Sequence, residues 1–127
     1  MSAEGDLFNA VAALERVAES IRKIEMEARE ALYSRDEPEV YRQKLQEKAM
    51  LLADLPDTIE PFLAGMPKAA RAEVKSGARD FARRAIQALE LSSVFYMSAL
   101  LYPDDYEDGQ KNDLEKFVDR LRSKYLA

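Results

Sequence analysis

The chain of 127 residues has no cysteine, no histidine and no tryptophan, and only four glycines and five prolines. Without cysteine there can be no disulfide, thiolate metal site or cysteine nucleophile, and a reducing intracellular setting fits better than a secreted one. The lack of histidine removes the commonest general base, the Ser-His-Asp triad and most transition-metal sites. Also missing is any apolar run near the roughly 20 residues that a bilayer span requires. The opening MSAEGDLF shows no basic stretch leading into an apolar one. These absences lead us to expect a cytoplasmic protein with no membrane association. No segment alternates with the period of two that a half-buried strand would show, and there is no internal repeat.

What remains is ordinary for a globular protein. Apolar residues make up 47% and charged residues 34%, with a net charge of −5. A chain of this size and composition can bury a real core, and we expect one domain spanning residues 1–127. The negative total argues against indiscriminate attraction to nucleic acid or anionic lipid, although a local basic patch could act differently.

Helical spacing dominates the sequence. From Asp6, a suitable N-cap, Leu7, Val11, Leu14, Val17, Ala18, Ile21, Ile24, Ala28, Ala31 and Leu32 recur on one face. This predicts a helix of about 28 residues ending near Ser34 to Pro38. Its other face carries Glu15, Arg16, Glu19, Arg22, Lys23, Glu25, Glu27, Arg29 and Glu30, and is expected to be solvated. Pro38 suits the first turn of a second helix, with Tyr41, Leu45, Ala49 and Leu52 in a row and Pro56 as its stop. Asp57 to Gly65 reads as a short helical turn or corner, with Gly65 as a left-handed cap. Pro67 opens the longest pattern, which reaches Tyr102 before Pro103. Unbroken, it would span roughly 54 Å, more than the diameter of such a domain, so a bend at Ser76-Gly77 or a shared subunit contact is expected. A last helix starts at Asn112, where Asn112 and Glu115 form a capping-box pattern, and continues through Phe117, Val118, Leu121 and Tyr125. The fold expected is an all-α, antiparallel bundle of four to five helices, two of them long.

Four constellations could carry function. Lys68, Arg71, Lys75, Arg79 and Arg83 form a basic row on the third helix, able to meet phosphates or an acidic protein surface. Glu73 and Asp80 interrupt the row, no aromatic residue is interleaved for base stacking, and a solvated face is the simpler explanation. Opposite in sign is the segment holding Asp104, Asp105, Glu107, Asp108, Asp113, Glu115 and Asp119. Its first twelve residues partly fit a calcium loop, yet Tyr106 stands at a ligand position, Lys111 adds a cation and Pro103 ends the entering helix. A turn at Asp108-Gly109 followed by a capping box explains the same residues. Glu27, Glu30, Glu47, Asp54, Asp57 and Glu60 could supply magnesium or manganese ligands inside a bundle, but their spacing lacks the paired pattern that such sites need.

The run from Leu91 to Tyr102 is apolar on nearly every side of its helix, as expected of a segment enclosed by its own chain or by a partner. We assign Phe95, Tyr96, Leu100, Leu101 and Tyr102 as interface candidates. No motif calls for a cofactor or names catalytic residues. The expectation is a non-enzymatic protein-interaction or accessory-subunit module, self-associating or bound to another protein. The alternatives are a nucleic-acid-associated protein using the basic row and, third, a carboxylate-metal hydrolase.

Overall fold

The computed structural model describes residues 3–126, and all of its regular structure is helical. Helix α1 covers Ala3–Tyr33, α2 Pro38–Ala53, α3 Leu55–Leu63, α4 Lys68–Glu90, α5 Val94–Ala99 and α6 Asp113–Leu121. A π-helical turn over Arg122–Leu126 continues α6. Helix α1 lies against α2, α3 and α6, and α4 closes the other side against α2, α3, α5 and α6.

One core joins all six helices. Leu7, Val11, Leu14 and Ile21 of α1 meet Leu45 and Leu52 of α2, Leu55 and Ile59 of α3, Val74 of α4, Met97 of α5 and Leu114 and Phe117 of α6. The buried face of α4 is mostly alanine, with Ala70, Ala78, Ala82, Ala85 and Ala88 alongside Val74. Small side chains let neighbouring backbones approach closely, and larger residues from the other helices fill the space between.

At the helix ends one expectation holds and another changes. The second helix stops at Ala53, just before Pro56, and Pro56 sits in the first turn of the short helix α3, where a missing amide costs nothing. Gly65 is not in the left-handed region, where Asp36, Ser92, Leu101 and Gly109 are found instead. A side chain at Gly65 would run into Asp6, so close approach accounts for this glycine.

The long third pattern divides, and not at Gly77. Helix α4 runs through Gly77 to Glu90; the chain then turns at Leu91-Ser92-Ser93, with Ser92 at φ 49°, before α5 begins. The Ser93 hydroxyl accepts the Tyr96 amide at 3.1 Å and caps α5. Gly77 instead makes room for Phe117, whose ring an added Cβ would run into. At 23 residues, α4 spans roughly 34 Å. The excess length inferred from an unbroken helix is thereby removed.

Candidate functional site

Lys48 and Asn112 are the fully buried polar side chains among the described residues, and Lys48 lies on the inner face of α2. Its Nζ lies 3.0 Å from Glu25 Oε2, donates to the Ser98 carbonyl at 3.1 Å and sits 5.0 Å from the centre of the Tyr102 ring. Carboxylate, carbonyl and aromatic face together account for the three protons of the ammonium. Burial pushes Lys48 below the ordinary lysine range, with Glu25 acting in the opposite sense. The Tyr102 hydroxyl donates to Glu25 Oε1 at 2.6 Å, and both burial and that bond raise it above the usual tyrosine range.

The network continues outward through Arg22. Its guanidinium grips Glu115 with bonds of 2.7 and 3.0 Å and donates to the Gln110 carbonyl at 3.1 Å. The bond to Glu115 raises Arg22 and holds the Glu115 carboxyl below the usual range. Glu115 also accepts the Asn112 amide while Asn112 caps the Glu115 amide, so the expected capping box is present. Tyr106 packs edge-on against Tyr102 at 4.7 Å. These groups fasten α1, α2, α5 and the 100–112 loop to one another. They floor a cavity of about 330 Å³ whose wall includes Tyr33, Tyr41 and Arg29.

Sequence reasoning missed this cluster. The helical spacing places Arg22 and Glu25 on a solvated face, but the Glu25 side chain is only 11% exposed. The signal was available in the register: Glu25 follows buried Ile21 by four, and Lys48 falls between buried Leu45 and Leu52. Two opposite charges at core positions of adjacent helices imply a pair. Both Glu25 oxygens and the Lys48 ammonium have partners inside the chain, and the cluster clamps α1, α2 and α5 together.

The interface candidates divide into two sets. Leu101 is buried in the core, Leu100 packs against it and Tyr102 belongs to the clamp. Phe95 and Tyr96 are 73% and 54% exposed, and neighbouring Leu91 is 65% exposed. The apolar run is therefore covered on one side by its own chain and bare on the other. Phe95 and Tyr96 pack edge to face at 5.5 Å. Beside them lies a groove of about 480 Å³, lined among others by Arg84, Leu91, Tyr96, Leu100, Pro103 and Asp113.

The basic row lies along α4, with Lys68, Lys75, Arg79 and Arg83 exposed and Arg71 half-buried. Among the described residues only Arg83 of the five has an ion pair, with Asp80 at 3.3 Å. Glu73, on the same helix, is taken by Arg120, Lys124 and Tyr125, whose bonds hold it below the usual carboxylate range. Lys75, Arg79 and Arg83 border a shallow groove over Ala72 and Ser76. In the acidic segment, Lys111 pairs with Asp119, while Asp104, Asp105, Glu107 and Asp108 are exposed and have no ion pair among the described residues. No three acidic side chains among the described residues are placed to hold a metal ion, so Glu27, Glu30, Glu47, Asp54, Asp57 and Glu60 do not form a common site. Among the described residues no helix is long and apolar enough to cross a membrane. Set against family models, curated proteins and solved structures, the chain matches none.

Proposed function

We propose that this chain is a non-enzymatic protein-interaction or accessory-subunit module, acting in the cytoplasm through the corner between α4 and α5. The observation that carries this reading is the bare trio Leu91, Phe95 and Tyr96 beside a groove of about 480 Å³. Apolar patches rimmed by polar groups favour protein contact, and aromatic side chains are the commonest anchors in such contacts. The corner is also fixed in advance. Ser92 is held at a left-handed φ that costs a non-glycine residue about 1 kcal/mol, and Ser93 caps the helix that displays the rings. A preset surface loses less entropy on binding than one that must order itself.

The test is the double variant Phe95→Ser with Tyr96→Ser. Its melting temperature should stay within about 3 °C of the parent, because exposed substitutions cost little. In an extract of the source cell it should elute at the size of the single chain, whereas the parent elutes as a larger complex. Identical elution of the two proteins would overturn the proposal.

A second reading has one specific support: Lys68, Arg71, Lys75 and Arg79 carry no ion pair among the described residues, and Glu73 is neutralised from elsewhere. On that reading α4 touches nucleic-acid phosphates without reading bases. A gel shift of duplex DNA or RNA at low salt, abolished by Arg79→Glu with Arg83→Glu, would favour it. No shift at low salt would remove it.

A further inference from the structure

We infer that the partner at the α4–α5 corner is a second copy of this chain, related by a two-fold axis that crosses the corner. The inference rests on the interaction reading above and names its occupant. Three features carry it.

First, the surface is ordered in a way that complements itself. Arg84, Leu91, Tyr96, Pro103 and Asp113 all line the groove; Lys75, Arg79 and Arg83 precede Arg84 on α4, with Asp80 among them, and Asp104 and Asp105 follow Pro103 in the chain. The groove thus has basic residues leading into it from α4, acidic residues leading out of it after Pro103, and apolar side chains in its lining. A two-fold axis through the apolar centre lays the basic end of each copy on the acidic end of the other, as an isologous contact requires.

Second, the charges are free to do this. Arg84, Asp104, Asp105, Glu107 and Asp108 have no ion pair among the described residues, and the pair between Arg83 and Asp80 joins two exposed side chains. Exposed pairs of this kind are weakly held and readily exchanged.

Third, the apolar trio is too small to hold a dimer alone. Two aromatic side chains and a leucine, partly covered, present on the order of 400 Å², whereas a stable interface takes roughly 800 Å² from each partner. An interface centred on the corner must extend over its flanks, and those flanks are the basic row and the acidic loop. The groove beside Tyr96 gives each copy a recess as well as a protruding ring, so that Phe95 of one copy seats in the groove of the other.

The experiment is sedimentation equilibrium of the purified full chain at 50 mM salt. Two charge-reversed variants, Arg83→Glu with Arg84→Glu and Asp104→Lys with Asp105→Lys, are run alone and as an equimolar mixture; Phe95→Ser with Tyr96→Ser is run beside them. Circular dichroism melts establish that each variant is folded. The parent should form a dimer, each charge-reversed variant alone should associate at least about tenfold more weakly, and the mixture should recover the parent's affinity. Recovery shows that the basic end of one copy meets the acidic end of the other, and a mass that stops at two chains separates the closed two-fold pair from a head-to-tail series. A parent that stays at the mass of one chain at every concentration overturns self-pairing, and the elution test above then decides the interaction reading separately. A dimer lost in Phe95→Ser with Tyr96→Ser but indifferent to both charge reversals overturns the two-fold arrangement and leaves the corner in place. A dimer indifferent to Phe95→Ser with Tyr96→Ser overturns both.

Discussion

At Lys48 the physics of one residue can be followed from register to stability. It lies at a core position, and its charge is tolerated because Glu25, the Ser98 carbonyl and the Tyr102 ring surround it. Removing one member of a buried pair leaves the other charge without compensation, a change that costs about 3–5 kcal/mol. Lys48→Ala should lower the urea midpoint accordingly, and Lys48→Met combined with Glu25→Gln should be the more stable of the two proteins. A loss from Lys48→Ala below about 1 kcal/mol would mean that the clamp contributes little. Glu115 gives the pH dependence. Its carboxyl is held below the ordinary 4.5 by Arg22, so on acidification the unfolded chain takes up the proton before the folded one. The stabilisation is complete above about pH 5.5 and is lost as the pH falls through 4.5 toward the depressed folded value. Glu115→Gln should flatten the melting-temperature profile in that acid range, whereas a profile parallel to the parent's would show that Arg22 and Glu115 do not share the load.

Among the helices, Gly77 is the most diagnostic position. Helix propensity alone says that alanine there stabilises by about 1 kcal/mol. The structure says the opposite, because the new Cβ would meet the Phe117 ring, itself buried and stacked edge-on with Phe81. Overpacking of that kind costs about 1–3 kcal/mol, so Gly77→Ala should lower the urea midpoint. Spacing and punctuation alone disclosed most of the helices, since apolar rows recur every three to four residues and prolines stand at their ends. The interruption at Leu91-Ser92-Ser93 was hidden for a physical reason. It contains neither glycine nor proline, and Ser92 takes a left-handed conformation that nothing in its side chain announces. Nor could local sequence say that Gly77 serves packing rather than bending, because Phe117 lies forty residues away on α6. The interface candidates were read in part for the same reason. An apolar stretch tells how much surface must be covered, and only the tertiary arrangement tells that Leu101 joins the core and that Tyr102 is covered by α1 and α2.

Taken whole, the molecule is a helical bundle braced by a buried ion pair, with a cluster of exposed apolar side chains at one corner. The clamp ties α5 and the following loop to α1 and α2, and so fixes the platform on which Phe95 and Tyr96 stand. Basic and acidic surfaces flank that platform, and in an overall acidic chain their separation gives an approaching partner a preferred orientation. This corner is the proposed site of contact with protein. The most direct measurement replaces Phe95 with a photo-cross-linking amino acid in the source cell and compares it with the same replacement at exposed Arg16 on α1. The prediction is a discrete protein adduct on irradiation at position 95, absent at position 16. No adduct at position 95, or equal adducts at both positions, would contradict it.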